Sequence, residues 1–600
     1  MSSVYTTADG KYIIQGDVIR LGDKTLHNVS DNLQAEANKK LLAGLKTEDL
    51  LVYKAKGKTK HVVYVFTDAS CPYCHKLHEH IPEITAQGIE VRYIAWPRGE
   101  QFMPAMESVW CSADRQAAFD QAISGAQLPP ATCKNPVRDQ YQLGLNMGVN
   151  GTPAIYNEDG EYLGGYLAPI RLAILGLGTV GGGALKLLKE NAAEIKRRTG
   201  REIQITYVGT RRPRPDLDLG DEVKQSADLL DIVRQPDVDV VVEVMGGIHP
   251  AYEVIKEAIL HGKQVVTANK ALLAEHGNEL FKLADDNAVQ IAYEAAVAGG
   301  IPIIKVMREG LAANKINWLA GIINGTGNFI LTEMREKGRA FADVLKEAQE
   351  LGYAEADPTF DVEGIDAAHK LTILASCAFG IPLQFDKVYT EGISKITAQD
   401  VKYAEELGFR IKHLGIARRA ANGIELRVHP TLIPAEELIA NVNGVKNAVL
   451  VQAHAVGPTL YYGAGAGAGP TASAVVADVI DIVRDISYTE DGAGTIPQLA
   501  FEALTNVPIL SREEMTTGYY IRINAEDQTG VLADVTTILS RAGISIDAIM
   551  QQPRLKDLIP IVILTDPVVE SKMDEALAQI QALPVIHGEI VRIRLESLDN

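Results

Sequence analysis

The stretch from Ile170 to Gly181 constrains this chain more than any other. An apolar run, Leu172-Ala173-Ile174-Leu175, stops at Gly176-Leu177-Gly178-Thr179-Val180-Gly181, and a helical pattern follows from Ala184. The order is strand, glycine turn, helix. Gly176 permits the tight turn, Gly178 lets a pyrophosphate approach the backbone, and Gly181 lets the helix pack on the strand, with Thr179 and Val180 at a helix N-terminus that faces the anion. The same pattern also occurs in plain strand-to-helix turns, but here the chain beyond it reads as α/β and the chain before it reads as a different protein.

At 600 residues the chain exceeds a single core, so about three to five domains are expected. The 58 basic and 77 acidic residues leave a formal charge of −19. With no long basic stretch to follow phosphates, nucleic acid is not an expected partner. No run reaches the roughly 18 to 20 apolar residues that cross a bilayer, and the opening MSSVYTTADGKYII carries no apolar leader. The expectation is a cytoplasmic chain without membrane association.

Residues 1–50 hold short alternating segments (Tyr12 to Ile14, Val18 to Leu21) and a helical pattern from Ser30 to Leu45, too little to form a core alone. From His61 the sequence VVYVFTDASCPYCHKLHEHIPEI reads as strand, turn and a helix opening at Cys71-Pro72-Tyr73-Cys74. A C-x-x-C at a helix start lowers the pKa of its first thiol. It could also be half a zinc site, but no second C-x-x-C or His pair completes four ligands. With Gly151-Thr152-Pro153, these residues resemble the thioredoxin-fold domain of the periplasmic disulfide isomerases over about residues 1–168. The resemblance implies Cys71 as nucleophile, Cys74 as resolving thiol, Pro153 as a cis-proline against them, and Cys111 with Cys133 as a structural disulfide. It also implies a truncated domain. The family's leader, the start of its dimerisation domain and the helix after the last hairpin (Ala154 to Tyr166) are missing, so residues 1–168 are expected to be dispensable and poor as an isomerase.

Beyond Gly181 a helix is expected to about Arg198 and a second strand over Ile203 to Val208. That strand ends at Gly209-Thr210-Arg211-Arg212-Pro213-Arg214. Where NAD enzymes usually place Asp or Glu for the ribose 2′-hydroxyl, Arg211 and Arg212 suit a 2′-phosphate, hence NADP with NAD still possible; the alternative is a solvated basic loop. Strands Val238 to Val244 and Gln264 to Val266 end in Met245-Gly246-Gly247 and Thr267-Ala268-Asn269-Lys270, and a further strand-to-loop switch spans Tyr293 to Pro302. Ligands bind past such strand ends. Gly352 to Lys370 then packs Glu355, Asp357, Asp361, Glu363, Asp366 and Lys370 around a helix start. Asp366 and Lys370 are i,i+4 and share a face. A surface pair is the ordinary meaning, worth about 0.3–0.5 kcal/mol, yet the apolar LTILASCAFGI that follows sends this helix into a core, where a lysine among carboxylates can exchange a proton.

GLGTVG, VVTANKALLA, EAAVAGGIPI, INGTGNFIL, GYAEADPTFDVEGIDAAHKLTIL and GAGAGAGPTASAV, in this order, resemble the homoserine dehydrogenases over about residues 169–600. That resemblance implies interconversion of L-homoserine and L-aspartate 4-semialdehyde. Lys370 would exchange the hydroxyl proton with Lys270 beside it, Glu355 would bind the substrate amino group, and Asp361 and Asp366 would hold the polar site. Gly178, Thr179, Val180, Lys270 and the glycine loop with Gly465 and Gly467 would contact the dinucleotide. A monovalent cation, typically sodium, would sit on Glu294 and the carbonyls of Val297, Gly299 and Ile301. The glycine loop could instead be a linker, but it leads straight into a buried helix. The tail, βαββαβ over 517–600, resembles an ACT domain, implying an amino-acid effector such as L-threonine and removal without loss of catalysis. Both families imply a homo-oligomer.

The expected fold class is therefore multidomain α/β. A truncated thioredoxin-like domain (51–168, preceded by a remnant over 1–50) leads to a Rossmann domain (169–300, with a return helix at about 470–490), an α+β catalytic domain (301–495) and a ferredoxin-like ACT domain (517–600). Two rival functions stand beside the dehydrogenase: a thiol–disulfide enzyme with the rest as scaffold, and a non-catalytic amino-acid sensor.

Overall fold

The computed structural model describes residues 4–598 except 7–12, 16–18, 22–25, 166–168, 213, 221, 489–503 and 553–557. Tyr12, Val18, Tyr166, Pro213 and residues 495–503, the first part of the link between the catalytic and tail domains, lie outside the described residues. The chain forms two compact units, Met1–Pro169 and Ile170–Asn600.

In the first unit a helix over Val29–Ala43 precedes a five-stranded sheet. Its strands are β1 (Leu51–Tyr53), β2 (His61–Thr67), β3 (Ile89–Ala95), β4 (Ala154–Asn157) and β5 (Tyr162–Gly164), in the order β1-β3-β2-β4-β5 with only β2 and β3 parallel. Helix α1 (Pro72–Glu79) starts on Cys71 as N-cap, and Pro72 supplies the fixed φ that suits a first helical position. Phe66, Tyr93, Trp110 and Phe119 are fully buried beneath the covering helices. Cys111 and Cys133 are disulfide-bonded, as the resemblance implied. β5 ends at Gly164 and the next strand begins at Ile170, too few residues for a closing helix, and Tyr162 and Leu163 of β5 stay exposed.

The second unit opens with a six-stranded sheet, all parallel. Its strands β6 (Ile170–Leu175), β7 (Ile203–Gly209), β8 (Lys224–Ser226), β9 (Val240–Glu243), β10 (Gln264–Thr267) and β11 (Ile291–Ala292) run in the order β8-β7-β6-β9-β10-β11. The unbroken Val240-Val241-Val242 run is buried on both faces, as parallel sheets require. Helix α2 (Thr179–Glu190) follows the glycine turn. The single helix expected to Arg198 is two, because Asn191 leaves the helical region and a second segment, Ala192–Thr199, begins after it. Helix α3 (Lys270–Asp286) follows β10.

A ten-stranded sheet makes up the rest. Its strands are β12 (Ile316–Ile322), β13 (Phe409–Ala420), β14 (Gly423–Pro434), β15 (Lys446–Ala453), β16 (Gly457–Ala464), β17 (Thr516–Glu526), β18 (Ile546–Gln551), β19 (Leu558–Val569) and β20 (Val591–Leu595). They run in the order β16-β15-β12-β13-β14-β20-β17-β19-β18, with Tyr389–Thr390 paired beside β14. Helices α4 (Gly325–Lys337) and α5 (Ile365–Phe379) lie against it, and α6 (Ala468–Tyr488) returns to the dinucleotide sheet, where a Cβ on Gly183 of α2 would meet the Ala468 carbonyl at 2.6 Å. The tail is βαββαβ, with α7 (Val531–Arg541) and α8 (Glu570–Gln581). It is not a detached module. β20 pairs in parallel with β14 at Thr431–Arg594 and Leu432–Leu595, which makes one sheet of two.

Buried charge joins the two halves of that sheet. Fully buried Arg427 on β14 binds Glu596 at 2.5 Å and Glu425 at 3.1 Å, and Arg594 on β20 binds Glu570 and Glu391, both at 2.6 Å. Each buried guanidinium thus has carboxylate partners, without which it would be expensive to bury.

Candidate active site

At the carboxyl end of β6, Gly176 adopts φ of +101°, and a Cβ on Gly181 would meet the Gly176 carbonyl at 1.9 Å. Both glycines are therefore required by the turn itself. A Cβ on Gly178 would meet nothing within 4 Å, which leaves open space over the N-terminus of α2. Arg211 and Arg212 lie exposed past β7. Arg214 is the arginine drawn to the glycine turn: its guanidinium donates to the Leu177 carbonyl and pairs with Asp216 at 2.6 Å. Its distance along the chain from the turn carries no signal of this contact.

Two further residues brace the neighbouring strand ends. Glu243 is buried, accepts from Met245 N and from Thr267 Oγ1 at 2.7 Å, and is raised in pKa by that burial. Asn269 caps α3 and donates to the Gly247 carbonyl at 2.6 Å, so the Gly246-Gly247 turn is pinned beside Lys270.

Lys270, Asp361, Asp366 and Lys370 come together as expected. Lys370 Nζ donates to Asp366 Oδ2 and to the Ile323 carbonyl, both at 2.7 Å, and Lys270 Nζ lies 3.3 Å from Asp366 Oδ1. Asn324, which the sequence reading did not single out, organises the group. Its Nδ2 donates to Asp361 at 2.8 Å and to Asp366 at 2.9 Å, while its Oδ1 caps α4 through Gly327 N. An Asn before a helix is an ordinary cap signal; that it also bridges two carboxylates needs the fold. Burial lowers the Lys370 pKa, aided by the charge of Lys270 and opposed by Asp366. Burial pushes Asp366 the other way, but the two ammonium groups hold it well below the usual carboxylate range. Asp361 is raised by burial. Glu355 is not part of this group among the described residues: its side chain is exposed on the loop before Pro358.

Around the expected cation position, Ala298 and Gly299 have φ of 55° and 46°, a left-handed pair that curls the backbone. Both carboxylate oxygens of Glu294 accept backbone N–H bonds, from Ile304 at 2.9 Å and Lys305 at 2.8 Å, and burial raises this acid to about 7. The carboxylate is thus committed to the next helix start. The glycine loop packs on the same curl. Gly300 N donates to the Ala464 carbonyl at 2.9 Å, and a Cβ on Gly299 would meet the Gly465 carbonyl at 2.5 Å, so the residues lacking side chains admit the chain's own backbone.

In the first unit the Cys71 thiol donates to the Thr152 carbonyl at 3.1 Å, and the Thr152–Pro153 bond is cis. Its hydrogen bond with Cys74 lowers Cys71 to about 6 against the opposing effect of burial, while burial raises Cys74.

An open parallel sheet with open space at its glycine turn, in the same unit as a buried lysine held by Asp366, is the arrangement expected of a nucleotide-dependent oxidoreductase. Comparison with known proteins narrows the class. Family models match in order: thioredoxin-like domain over 48–176, homoserine dehydrogenase NAD-binding domain over 176–294, homoserine dehydrogenase over 302–480, and ACT domain over 519–584. The homoserine dehydrogenase of Pseudomonas aeruginosa is 60% identical over 437 residues, 72% of this chain and 100% of that protein, and that of Neisseria gonorrhoeae is 54% identical with the same coverage. A crystal structure of a homoserine dehydrogenase from Thiobacillus denitrificans is 58% identical, with TM-score 0.69 over 72% of this chain and 99% of that one. The chain belongs to the homoserine dehydrogenase family, NAD(P)-dependent oxidoreductases, and carries a thioredoxin-like domain as an N-terminal addition. No helix among the described residues is long and apolar enough to cross a membrane.

Proposed function

We propose that the chain interconverts L-homoserine and L-aspartate 4-semialdehyde in the cytoplasm, with Lys370 exchanging the proton on the substrate oxygen. The observation that carries this is the buried Lys370 amine, held by Asp366 and the Ile323 carbonyl and lowered in pKa by burial. In the oxidising direction the neutral amine accepts the hydroxyl proton; in reverse the ammonium donates it to the carbonyl oxygen. A bound dinucleotide supplies the hydride acceptor or donor. Asp366 and Asn324 orient Lys370, Lys270 adds positive charge at the same carboxylate, and exposed Glu355 is the group proposed to meet the substrate ammonium.

Gly178, Thr179 and Val180 would face the pyrophosphate. NADP is favoured over NAD because Arg211, Arg212 and Arg214 follow β7, where a 2′-phosphate would lie. The carbonyls of Val297, Gly299 and Ile301 are the proposed ligands of a monovalent cation such as sodium, a hard ion suited to neutral oxygens. L-Threonine is the proposed effector of the tail, and the assembly is proposed to be a homo-oligomer.

The test is the initial rate of NADPH and NADH formation from L-homoserine by the intact chain and by its Arg211→Ala, Arg212→Ala double variant. Reduction of NADP with homoserine is expected, with KM for NADP raised in the variant and KM for NAD little changed. No reduction of either cofactor would sink the function. Equal effects on both would return the arginines to a solvated loop.

A further inference from the structure

Lys412 on β13 is 2% exposed, yet the three acceptors it meets are neutral oxygens. Its Nζ donates to Asn328 Oδ1 at 3.2 Å, to the Val442 carbonyl at 2.5 Å and to Asn443 Oδ1 at 3.3 Å. Three oxygens need three N–H donors, and only the ammonium form of a lysine has three. A neutral amine would turn its lone pair on one of them. Charge around the site comes from Arg410 on β13 and from Arg335 and Glu336 on α4, while Lys446 on the adjoining turn is exposed. Burial and the two arginines lower Lys412 to about 7.

Asn328, itself buried, passes this bond on. Its Nδ2 donates to the carbonyls of Val442, Gly444 and Lys446 at 3.1, 2.9 and 3.2 Å, and its N–H donates to the Asn324 carbonyl at 3.3 Å. Thr332, one turn further along α4, donates to the Asn328 carbonyl at 2.6 Å and accepts from Gly444 N at 3.1 Å. The first turns of α4 are thus fastened to the turn over residues 442–446, and Lys412 bonds to both. At the start of the same helix, the Asn324 amide bridges Asp361 and Asp366.

We propose that Lys412 is a positioning residue for the dehydrogenase reaction: its ammonium, acting through Asn328, sets α4 so that Asn324 seats Asp366 against Lys370. This goes beyond the function proposed above and rests on its assignment of Lys370. Deprotonation breaks one of the three bonds at Lys412, α4 gains freedom to turn, and the Asn324 amide no longer lies between both carboxylates. A displacement of about 1 Å at such a site can cost about 100-fold in rate. The two lysines then oppose each other in pH. Oxidation needs Lys370 neutral, which gives an acid limb, and Lys412 charged, which gives an alkaline one.

The experiment measures kcat for homoserine oxidation against pH for the full chain and its Lys412→Met and Lys412→Arg variants. The wild type is expected to show both limbs. Lys412→Met should lower kcat at least about tenfold with KM for the dinucleotide little changed. Lys412→Arg should recover turnover and lack the alkaline limb, because a guanidinium stays charged throughout this range. A lysine with a merely structural role would change Tm and leave that limb in place. A wild-type profile without an alkaline limb overturns the proposal whatever the variants do. So does wild-type kcat in Lys412→Met, or an unmoved limb in Lys412→Arg. Each of these leaves the proposed function standing, whereas a wild type that oxidises no homoserine sinks both.

Discussion

Cys71 and Lys370 both titrate below their ordinary values, for opposite reasons. Cys71 falls to about 6 because its hydrogen bond with Cys74 favours the thiolate, although burial opposes it. Lys370 falls because burial disfavours the ammonium, although Asp366 opposes that. One shift populates a charged nucleophile; the other brings a neutral base within reach. The two sites also differ in assembly. Cys71 and Cys74 come from one helix start completed by the Thr152 carbonyl, whereas Lys370 is positioned by groups from four stretches, around residues 270, 323–324, 361 and 366. A site built from one turn needs little of the unit around it. A site built from four needs the whole unit around it.

The largest effect is expected at Lys370. Lys370→Ala should lower kcat by about 10²–10⁴, the usual loss of one acid–base group, with dinucleotide binding retained in a fluorescence titration. Wild-type turnover would remove Lys370 from the chemistry.

Next in size is removal of residues 517–600. The sequence leads one to expect that catalysis survives it, but the cut strips β20 from β14 and removes Glu596 from buried Arg427, which keeps Glu425 and His429. Breaking a buried pair costs about 3–5 kcal/mol, so a clearly lower Tm and loss of activity at growth temperature are expected. A truncated protein with unchanged Tm and kcat would restore the separable tail.

Smaller changes probe the two shifts directly. Cys74→Ala should raise the pH midpoint of Cys71 alkylation above about 6 towards an ordinary thiol, since the bond with Cys74 is the largest lowering cause. A midpoint that stays put would assign the shift to the helix start instead. Lys270→Met removes a positive neighbour and so favours protonated Lys370. Its pKa rises, and the acid limb of kcat/KM for homoserine oxidation moves to higher pH. An unmoved limb would mean that a different group titrates.

Least effect is expected from cutting the chain to begin at Pro169. Dehydrogenase kcat/KM should hold, and residues 1–168 should reshuffle a scrambled-disulfide substrate poorly, because the sheet ends on β5 with Tyr162 and Leu163 exposed. Loss of dehydrogenase activity, or efficient reshuffling, would show that the two units work together.

The residues themselves determined what local chemistry can express. Gly176 and Gly181 read directly as a turn because no other residue fits, Cys71-Pro72-Tyr73-Cys74 as a helix start because Pro72 and the cap act within one turn, and Asp366 with Lys370 as one face because four residues close a helical turn. Only the tertiary structure decided the rest. Arg592 and Arg594 alternate with apolar residues on β20, yet Arg594 is buried and Arg592 half-buried. The carboxylates that neutralise them come from residues 391, 570 and 574, out of reach of any local pattern. Asn324 between two aspartates and Arg214 at the Leu177 carbonyl are likewise contacts between segments distant in sequence. So is the fusion of the tail with the catalytic sheet. A strand's alternation says which face is polar, but the neighbour that covers that face depends on how the whole chain comes together.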